Sequence, residues 1–236
     1  MHHPNPGSGW WIAVRLPSFR LAAALRHIPH AGTAAYLIER TGRRTVLEAT
    51  EAASLAGVRA GMTLREASRT APRAAVALAD PPRAARAWGR VLAELRRLPA
   101  PVADGGPGLA FVRAHRGATP ERWFGMIRAA LGATGLALRC GAAANRFTAF
   151  VAAHRCADAV CAPGAEATFV ADAPLALLAV ERAAELRLRL LGVRTLGHVA
   201  ALSPQQLVRF GTDAARWHAL ACGRDADPEA SVDAVT

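Results

Sequence analysis

The pattern of apolar residues changes near Pro174, and this change constrains the fold more than any other feature of the sequence. Upstream, short apolar runs that favour strands alternate with helical stretches, whereas every periodic segment downstream is helical. The sequence therefore predicts an α+β unit followed by a separate all-helical unit. Strands are predicted at residues 10–14, 34–38, 45–47, 109–112 and 136–140, and helices at 19–27, 51–57, 63–71, 83–97, 120–133 and 145–159.

The composition indicates an ordered protein with a basic surface. Hydrophobic residues make up 52% of the 236 residues, which is far from the composition of a disordered chain. The formal net charge is +11, and every cation is an arginine. Arginine forks match phosphate oxygens, so the excess suits nucleic acid, although charge alone equally suits an anionic membrane surface or an acidic protein partner. The absence of lysine is also typical of a GC-rich genome. Arginines interrupt every apolar stretch, so no membrane span and no membrane partner are expected.

The cysteines, histidines and tryptophans give no pattern of a metal or cofactor site. Cys140, Cys156, Cys161 and Cys222 form no CxxC pair, and residues 1–9 are a polar leader without a secretory signal, which favours a reduced, cytoplasmic setting. A zinc site at Cys156 and Cys161 is disfavoured because no further pair of ligands lies nearby. The scattered histidines and the tryptophans at helical positions are interpreted as core or surface residues: His115, His154, His198, His218, Trp88, Trp123 and Trp217.

Residues 191–197 (LGVRTLG) are the most informative local motif. A glycine turn between two short helices is typical of a helix-hairpin-helix, which holds DNA phosphates without reading sequence. We expect such a hairpin to present backbone N–H groups, with an arginine adding charge. An ordinary helical joint with a glycine cap is the alternative. The candidate DNA-binding residues are Gly192, Val193, Arg194, Thr195 and Gly197.

Three motifs occur in an order that resembles the Y-family (translesion) DNA polymerases. Residues 57–62 (GVRAGM) are similar to the fingers motif of that family, and residues 141–149 (GAAANRFTA) are similar to its palm segment. Residues 191–197 are similar to its thumb hairpin and are followed by 221–225 (ACGRD). Each motif alone is weak, but the ordered set covers most of the chain.

The resemblance implies a domain organisation. A palm is expected from residues 10–18 and 80–164, with small fingers inserted at 19–79, an all-helical thumb at 165–228 and a tail at 229–236. The family continues into a little-finger domain, which is expected to be absent because the sequence stops at Thr236.

The positions that bind metal in the family carry other residues here. The first pair of carboxylates is matched by Arg15 and Pro17, and the second by Pro107 and Gly108, give or take a residue or two. None of these side chains can coordinate Mg²⁺, which such polymerases need to activate the nucleophile and clamp the triphosphate. The resemblance therefore implies no catalytic residue, no metal site and no cofactor.

The positions that hold the incoming triphosphate in the family also differ. Glu51 and Ser54 replace the tyrosine and arginine of the fingers, and Phe150 replaces the lysine of the palm helix. A carboxylate at residue 51 would repel a triphosphate. The resemblance therefore implies no nucleotide-binding residue either.

This combination resembles the ImuB-type branch, whose members act in damage-induced mutagenesis as adaptors for another polymerase. Residues 10–17 (WWIAVRLP) are similar to the start of those proteins. The resemblance implies a noncatalytic DNA-binding adaptor in the bacterial cytoplasm, at the nucleoid when active. Its protein partners would be an error-prone replicative polymerase, a RecA-like accessory protein or the sliding clamp.

Two other functions stay open. An active DNA polymerase would need Mg²⁺ held by relocated carboxylates such as Asp80 or Asp104, and a truncated relic would bind DNA only weakly. Residues 206–210 (QLVRF) superficially resemble a clamp-binding peptide, but we interpret Leu207 and Phe210 as core residues of a helix.

Overall fold

A computed structural model describes residues 9–25, 33–115 and 117–225. The strands are β1 Trp11–Arg15, β2 Ala35–Ile38, β3 Val46–Ala49, β4 Ala75–Leu78, β5 Val102–Asp104, β6 Leu109–Arg113, β7 Arg139–Ala143 and β8 Ala159–Val160. The helices are α1 Phe19–Ala24, α2 Glu51–Leu55, α3 Leu64–Thr70, α4 Pro81–Leu95, α5 Pro120–Leu131, α6 Arg146–Arg155, α7 Glu166–Val170, α8 Arg182–Leu190, α9 Leu196–Ala200, α10 Pro204–Val208 and α11 Ala214–Ala221.

The larger sheet has five strands in the order β5-β6-β1-β7-β8. Its central strand, β1, pairs antiparallel with β6 and β7, and alternate residues of β1 face opposite sides of the sheet. Ile12 and Val14 pack into the core formed with α4 and α5. Trp11 and Ala13 pack on the other side, against α6. The sheet is thus covered on both faces, which explains why β1 reads as a continuous apolar run.

Gly141 allows α6 to lie directly on the larger sheet. A Cβ atom added at this residue would lie 2.2 Å from the backbone nitrogen of Ala153 and 2.4 Å from the carbonyl oxygen of Ala149. Both atoms belong to helix backbone, so they cannot move aside as a flexible side chain would. The glycine of the 141–149 motif is therefore required by the close approach of β7 and α6.

The smaller sheet has three strands in the order β3-β2-β4. β2 is antiparallel to β3 and parallel to β4. Tyr36 and Ile38 pack against α2 and α3 on one face, while Ala35 and Leu37 pack with Leu21 of α1 on the other. Because Phe19 at the start of α1 belongs to the core of the larger sheet, α1 connects the two sheets.

Helices α7 to α11 form the helical unit, residues 166–225, and share one apolar core with Val151 of α6. Two side-chain hydrogen bonds also join this unit to the start of α6. The Asn145 amide donates a hydrogen bond to the carbonyl of Gly223, and the Asp225 carboxylate accepts one from the backbone N–H of Phe147. A carboxylate beside the first turn of a helix is electrostatically favourable, so the end of the unit caps α6.

The structure confirms the α+β class and most of the predicted elements. The hairpin of β2 and β3 and the helices α2 to α5 lie close to the predicted positions. Trp88, Trp123 and Trp217 are buried, as are Leu207 and Phe210. Leu207 is a core residue of a helix as predicted, whereas Phe210 lies in the turn after α10. None of the helices in the described ranges has the length and apolar character needed to cross a membrane.

Several boundaries were predicted wrongly. Strand β7 begins three residues later than predicted, because the apolar run 136–138 packs against the core before the sheet begins. Helix α6 ends at Arg155 rather than at 159, and β4 and β5 were not predicted at all. The predicted extension of the first helix to residue 27, and most of the leader and all of the tail, lie outside the described residues.

Candidate functional site

A cleft of about 580 Å³ lies where the two sheets meet. Its walls are the carboxyl end of β1, the smaller sheet, the turn at Pro107 and Gly108, and α6. Six of the seven positions expected to be degenerate line this one cleft: Arg15, Pro17, Ser54, Pro107, Gly108 and Phe150. The structure therefore brings together residues that are up to 135 positions apart in sequence.

Arg15 places a positive charge at the end of the central strand. It lies on the α6 face of the larger sheet, between Leu109 of β6 and Arg139 of β7. Burial and the neighbouring Arg139 guanidinium lower the pKa of Arg15 below its ordinary value. The Glu48 carboxylate acts in the opposite direction but does not outweigh them. Within the described residues no carboxylate forms an ion pair with Arg15. The residue opposite Arg15 on β6 is Leu109, so a slip of one residue from Gly108 still places no carboxylate there.

The seventh position, Glu51, lies at the margin of the cleft. Its carboxylate is 3.6 Å from a guanidinium nitrogen of Arg139, and its side chain is largely exposed. An exposed pair of this kind contributes little to stability. Glu51 therefore partly offsets the positive charge of Arg139, and within the described residues it forms no ion pair with Arg15.

His154 lines the cleft beside Phe150. It lies one turn after Phe150 on α6, and its Nδ1 is 2.9 Å from the Phe150 carbonyl. Burial, reinforced by Arg15 and Arg139 and opposed by this hydrogen bond, lowers the pKa of His154 to about 4. The imidazole is thus neutral near pH 7. Neither Arg139 nor His154 was predicted as a site residue. A correct register for β7 would have placed Arg139 beside Arg15.

The carboxylates near the cleft already have partners. Glu48 lines the cleft, but it accepts hydrogen bonds from the Arg20 side chain at 2.6 Å and from the backbone N–H of Leu21 at 3.1 Å. Asp104 accepts from the indole of Trp88 at 2.8 Å and from the N–H of Gly106 at 2.7 Å. Asp80 caps α4 by accepting from the N–H of Arg83. Within the part of the chain that is described, no three His, Cys, Asp or Glu side chains are grouped to hold a metal ion.

The hairpin at residues 191–197 lies between α8 and α9. Gly192 has a φ of 83°, the left-handed conformation that ends α8, and an added Cβ would meet nothing within 4 Å. Glycine is therefore needed here for its backbone conformation and not for space. Thr195 caps α9 by accepting a hydrogen bond from the N–H of His198.

The structure corrects the expectation that this hairpin presents free backbone N–H groups. The N–H of Gly192 donates to the carbonyl of Arg189, that of Val193 to Leu188, and that of Gly197 to Ala171 at 2.7 Å. Val193 is also buried. The N–H groups of Gly192 and Val193 are thus bonded to α8, and that of Gly197 is bonded to the segment before α8. These three N–H groups are not available to a phosphate. The exposed side chain of Arg194 is left as the group that can reach a phosphate.

A known protein family and several solved structures are similar to this chain. The sequence model of the impB/mucB/samB family matches residues 17–154, which is more than half of the chain. The chain belongs to the impB/mucB/samB family. The match spans the smaller sheet, strands β5 to β7 and nearly all of α6, and it begins two residues after Arg15. No curated protein sequence matches the chain.

The fold is that of the Y-family DNA polymerases. DinB from Sulfolobus solfataricus is similar, with a TM-score of 0.71 and 18% identity over 90% of this chain and 66% of that one. A Y-family polymerase chimera of Dbh and Dpo4 has a TM-score of 0.73 and 19% identity over 93% and 69%. An insertion ternary complex of Dbh DNA polymerase has a TM-score of 0.72 and 18% identity over 93% and 69%. The chain thus spans about two thirds of the length of these structures.

Proposed function

We propose that this family member is a noncatalytic, DNA-binding adaptor in translesion DNA synthesis, of the ImuB type. In this proposal the two-sheet unit is a palm with inserted fingers, and the helical unit is a thumb with a helix-hairpin-helix. The protein acts in the bacterial cytoplasm, at the nucleoid, and its partners are DNA and another polymerase, a RecA-like protein or the sliding clamp. It needs no metal and no cofactor.

The observation that carries the noncatalytic half is the charge of the cleft. Nucleotidyl transfer by two metals requires several carboxylates that converge on the attacking and leaving oxygens. Here the strand end presents Arg15 opposite Leu109 and Arg139. A fixed guanidinium repels a divalent cation instead of binding it, so the arrangement opposes metal chemistry electrostatically.

No contact of Asp80 or Asp104 supports a metal site built from relocated carboxylates. Asp80 is the cap of α4, and Asp104 is held by Trp88 and the N–H of Gly106. Moving either side chain into the cleft would leave buried or capping donors without partners, which costs about 1–3 kcal/mol for each donor. Mg²⁺ would therefore have to displace existing hydrogen bonds to create a site.

The DNA-binding half rests on the basic surface and on the hairpin. Ternary complexes of Dbh DNA polymerase are among the similar structures. In this chain we assign the phosphate contact to the exposed side chain of Arg194, because the neighbouring backbone donors are engaged. Such a contact binds any DNA sequence and weakens as salt rises.

Binding of the full chain to a fluorescent primer-template tests this half. Affinity is expected to fall steeply between about 50 and about 200 mM NaCl, because bound phosphates release counterions. Arg194→Glu should weaken binding about three- to tenfold and reduce the salt slope by about one or two. Arg122→Glu is the matched control, since Arg122 is exposed on α5, which packs on the face of the larger sheet opposite α6.

Three outcomes would contradict the proposal. Binding that does not respond to salt would exclude a phosphate grip. Equal effects of the two charge reversals would show that only total charge matters and that the hairpin is an ordinary joint. Binding too weak to measure even at low salt would instead favour the relic.

A further inference from the structure

Strand β4 forms one edge of the smaller sheet. It pairs in parallel with β2, and within the described residues no other strand pairs with it. The N–H of Ala75 donates to the carbonyl of Ala34, and the N–H of Ala79 donates to the carbonyl of Ile38. Residues 75, 77 and 79 therefore direct their backbone groups toward β2.

The residues between them direct their backbone groups the other way. In a parallel ladder, alternate residues face opposite neighbours, so the N–H and C=O groups of Val76 and Leu78 point away from β2. Their side chains are also accessible: Val76 is 46% exposed and Leu78 is 49% exposed, whereas Ala77 is 6% exposed. The edge thus presents two apolar side chains and the donors and acceptors of two residues together.

Within the described residues, three common kinds of edge protection are missing from β4. Sheets prevent unwanted pairing at an edge with inward charges, proline or a bulge. β4 has an unbroken register against β2 and the sequence AVAL, with no charge and no proline. An accessible, regular and apolar edge is a template for an added strand.

The surroundings of the edge are basic. Residues 65–90 contain six arginines but only two acids, Glu66 and Asp80. Both acids are already engaged, Glu66 in the capping box of α3 and Asp80 as the cap of α4. Arg73 lies two residues before the strand and is exposed, and Arg83 lies five residues after it.

We propose that the edge of β4 binds an extended acidic segment of a partner protein, which adds to the smaller sheet as a further strand. Backbone hydrogen bonds to Val76 and Leu78 would hold the segment, and acidic residues flanking it would face the arginines. A second copy of this chain is a poorer occupant, because two such edges would bring the arginines of both copies together. The inference uses neither the cleft nor the hairpin, so it does not depend on the absence of catalysis.

The test uses the full chain and a designed probe peptide. The peptide alternates valine and threonine between paired aspartates at each end, with both termini blocked and a fluorescein label. Binding is followed by anisotropy, and hydrogen exchange is followed residue by residue. We expect the amides of Val76 and Leu78 to exchange at least about tenfold more slowly in the complex, while those of Ala75 and Ala77 change little.

Leu78→Pro is the informative variant. Proline removes the outward N–H of residue 78 and leaves the hydrogen bonds to β2 in place, a position where edge strands tolerate it. Peptide affinity should fall at least about tenfold, since a strand-addition complex depends on these main-chain bonds. Leu78→Thr is the control, because threonine keeps the N–H and suits a strand. Circular dichroism and the unfolding midpoint establish that both variants fold.

A second arm needs no variant of the protein. The same peptide, N-methylated at alternate residues on its hydrogen-bonding edge, keeps its charge but cannot pair as a strand. Loss of binding on methylation supports strand addition. Equal binding of the methylated peptide would overturn the proposal and show a purely electrostatic patch. Protection of Val76 and Leu78 by self-association, or by an oligonucleotide in preference to the peptide, would also overturn it.

Discussion

The middle and the end of β1 obey different constraints. In the middle, Ile12 and Val14 are fully buried between the larger sheet and α4 and α5. At the end, Arg15 and Pro17 line a cleft open to solvent. The middle has the apolar character that the fold of a Y-family polymerase needs, whereas the end lacks the carboxylates that its chemistry needs. The fold and the reaction therefore depend on separate residues, even within the six positions from Ile12 to Pro17.

The largest expected difference between these regions is in stability. Ile12→Ala removes a fully buried side chain from the core and should lower the free energy of unfolding by about 3 kcal/mol, within the usual range of 2–5 for such truncations. Urea denaturation followed by circular dichroism measures this loss. A loss below about 1 kcal/mol would mean that β1 is not the packed centre of the larger sheet.

A smaller effect is expected from pH, through His154. Its folded pKa of about 4 lies below the ordinary value of 6.5, so the unfolded state binds more protons between these values. Stability should therefore be complete above about pH 6.5 and fall as the pH drops toward 4. Because the side chain is only partly buried, we expect the loss to be about 1–2 kcal/mol.

His154→Gln should flatten this pH dependence, as measured by the urea midpoint at a series of pH values. His115→Gln serves as the control, since His115 is exposed and lies outside the cleft. If the urea midpoint of both variants changed with pH as that of the original protein does, His154 would not be the source of the loss of stability at low pH.

The smallest effect is expected at Arg15. Replacing it with methionine removes a half-buried cation that faces Arg139 and that forms no ion pair with a carboxylate of the described ranges. Apolar replacements of buried charges are often neutral or stabilising, so Arg15→Met should change the free energy of unfolding by less than about 1 kcal/mol or raise it. The same urea titration checks this. A loss of stability comparable to that of Ile12→Ala would show that Arg15 is a structural residue, as Ile12 is.

The sequence predicted the core better than the cleft, and the reasons are physical. Apolar periodicity reports burial, so β1, the β2–β3 hairpin and α3 to α5 were found near their true positions. β4 is half-exposed and β5 has only three residues, so neither gives such a signal. The cleft joins residues from both sheets and α6, and its charge depends on the register of β7. No local pattern reveals a register set by pairing with a distant strand.

The hairpin shows the same limit in another form. The motif predicted a glycine turn between two short helices, which is a local feature, and Gly192 there has the left-handed conformation. Thr195 was named only as a DNA-binding candidate, and the structure makes it the cap of α9. The motif did not predict that the loop at Ala171 and Ala173 accepts the hydrogen bonds of Gly197 and Leu196, because that contact is tertiary. The side chain of Arg194 therefore replaces the backbone as the proposed contact with DNA.

Primer extension tests the central claim most directly. The full chain is incubated with a primer-template and all four deoxynucleoside triphosphates, in Mg²⁺ and separately in Mn²⁺. A cleft lined by Arg15, which pairs with Arg139 in the sheet, predicts no template-dependent incorporation with either metal, under conditions in which DNA binding is measurable. Template-dependent incorporation that is abolished by Asp104→Ala or Asp80→Ala would contradict the account and establish an active polymerase with relocated carboxylates.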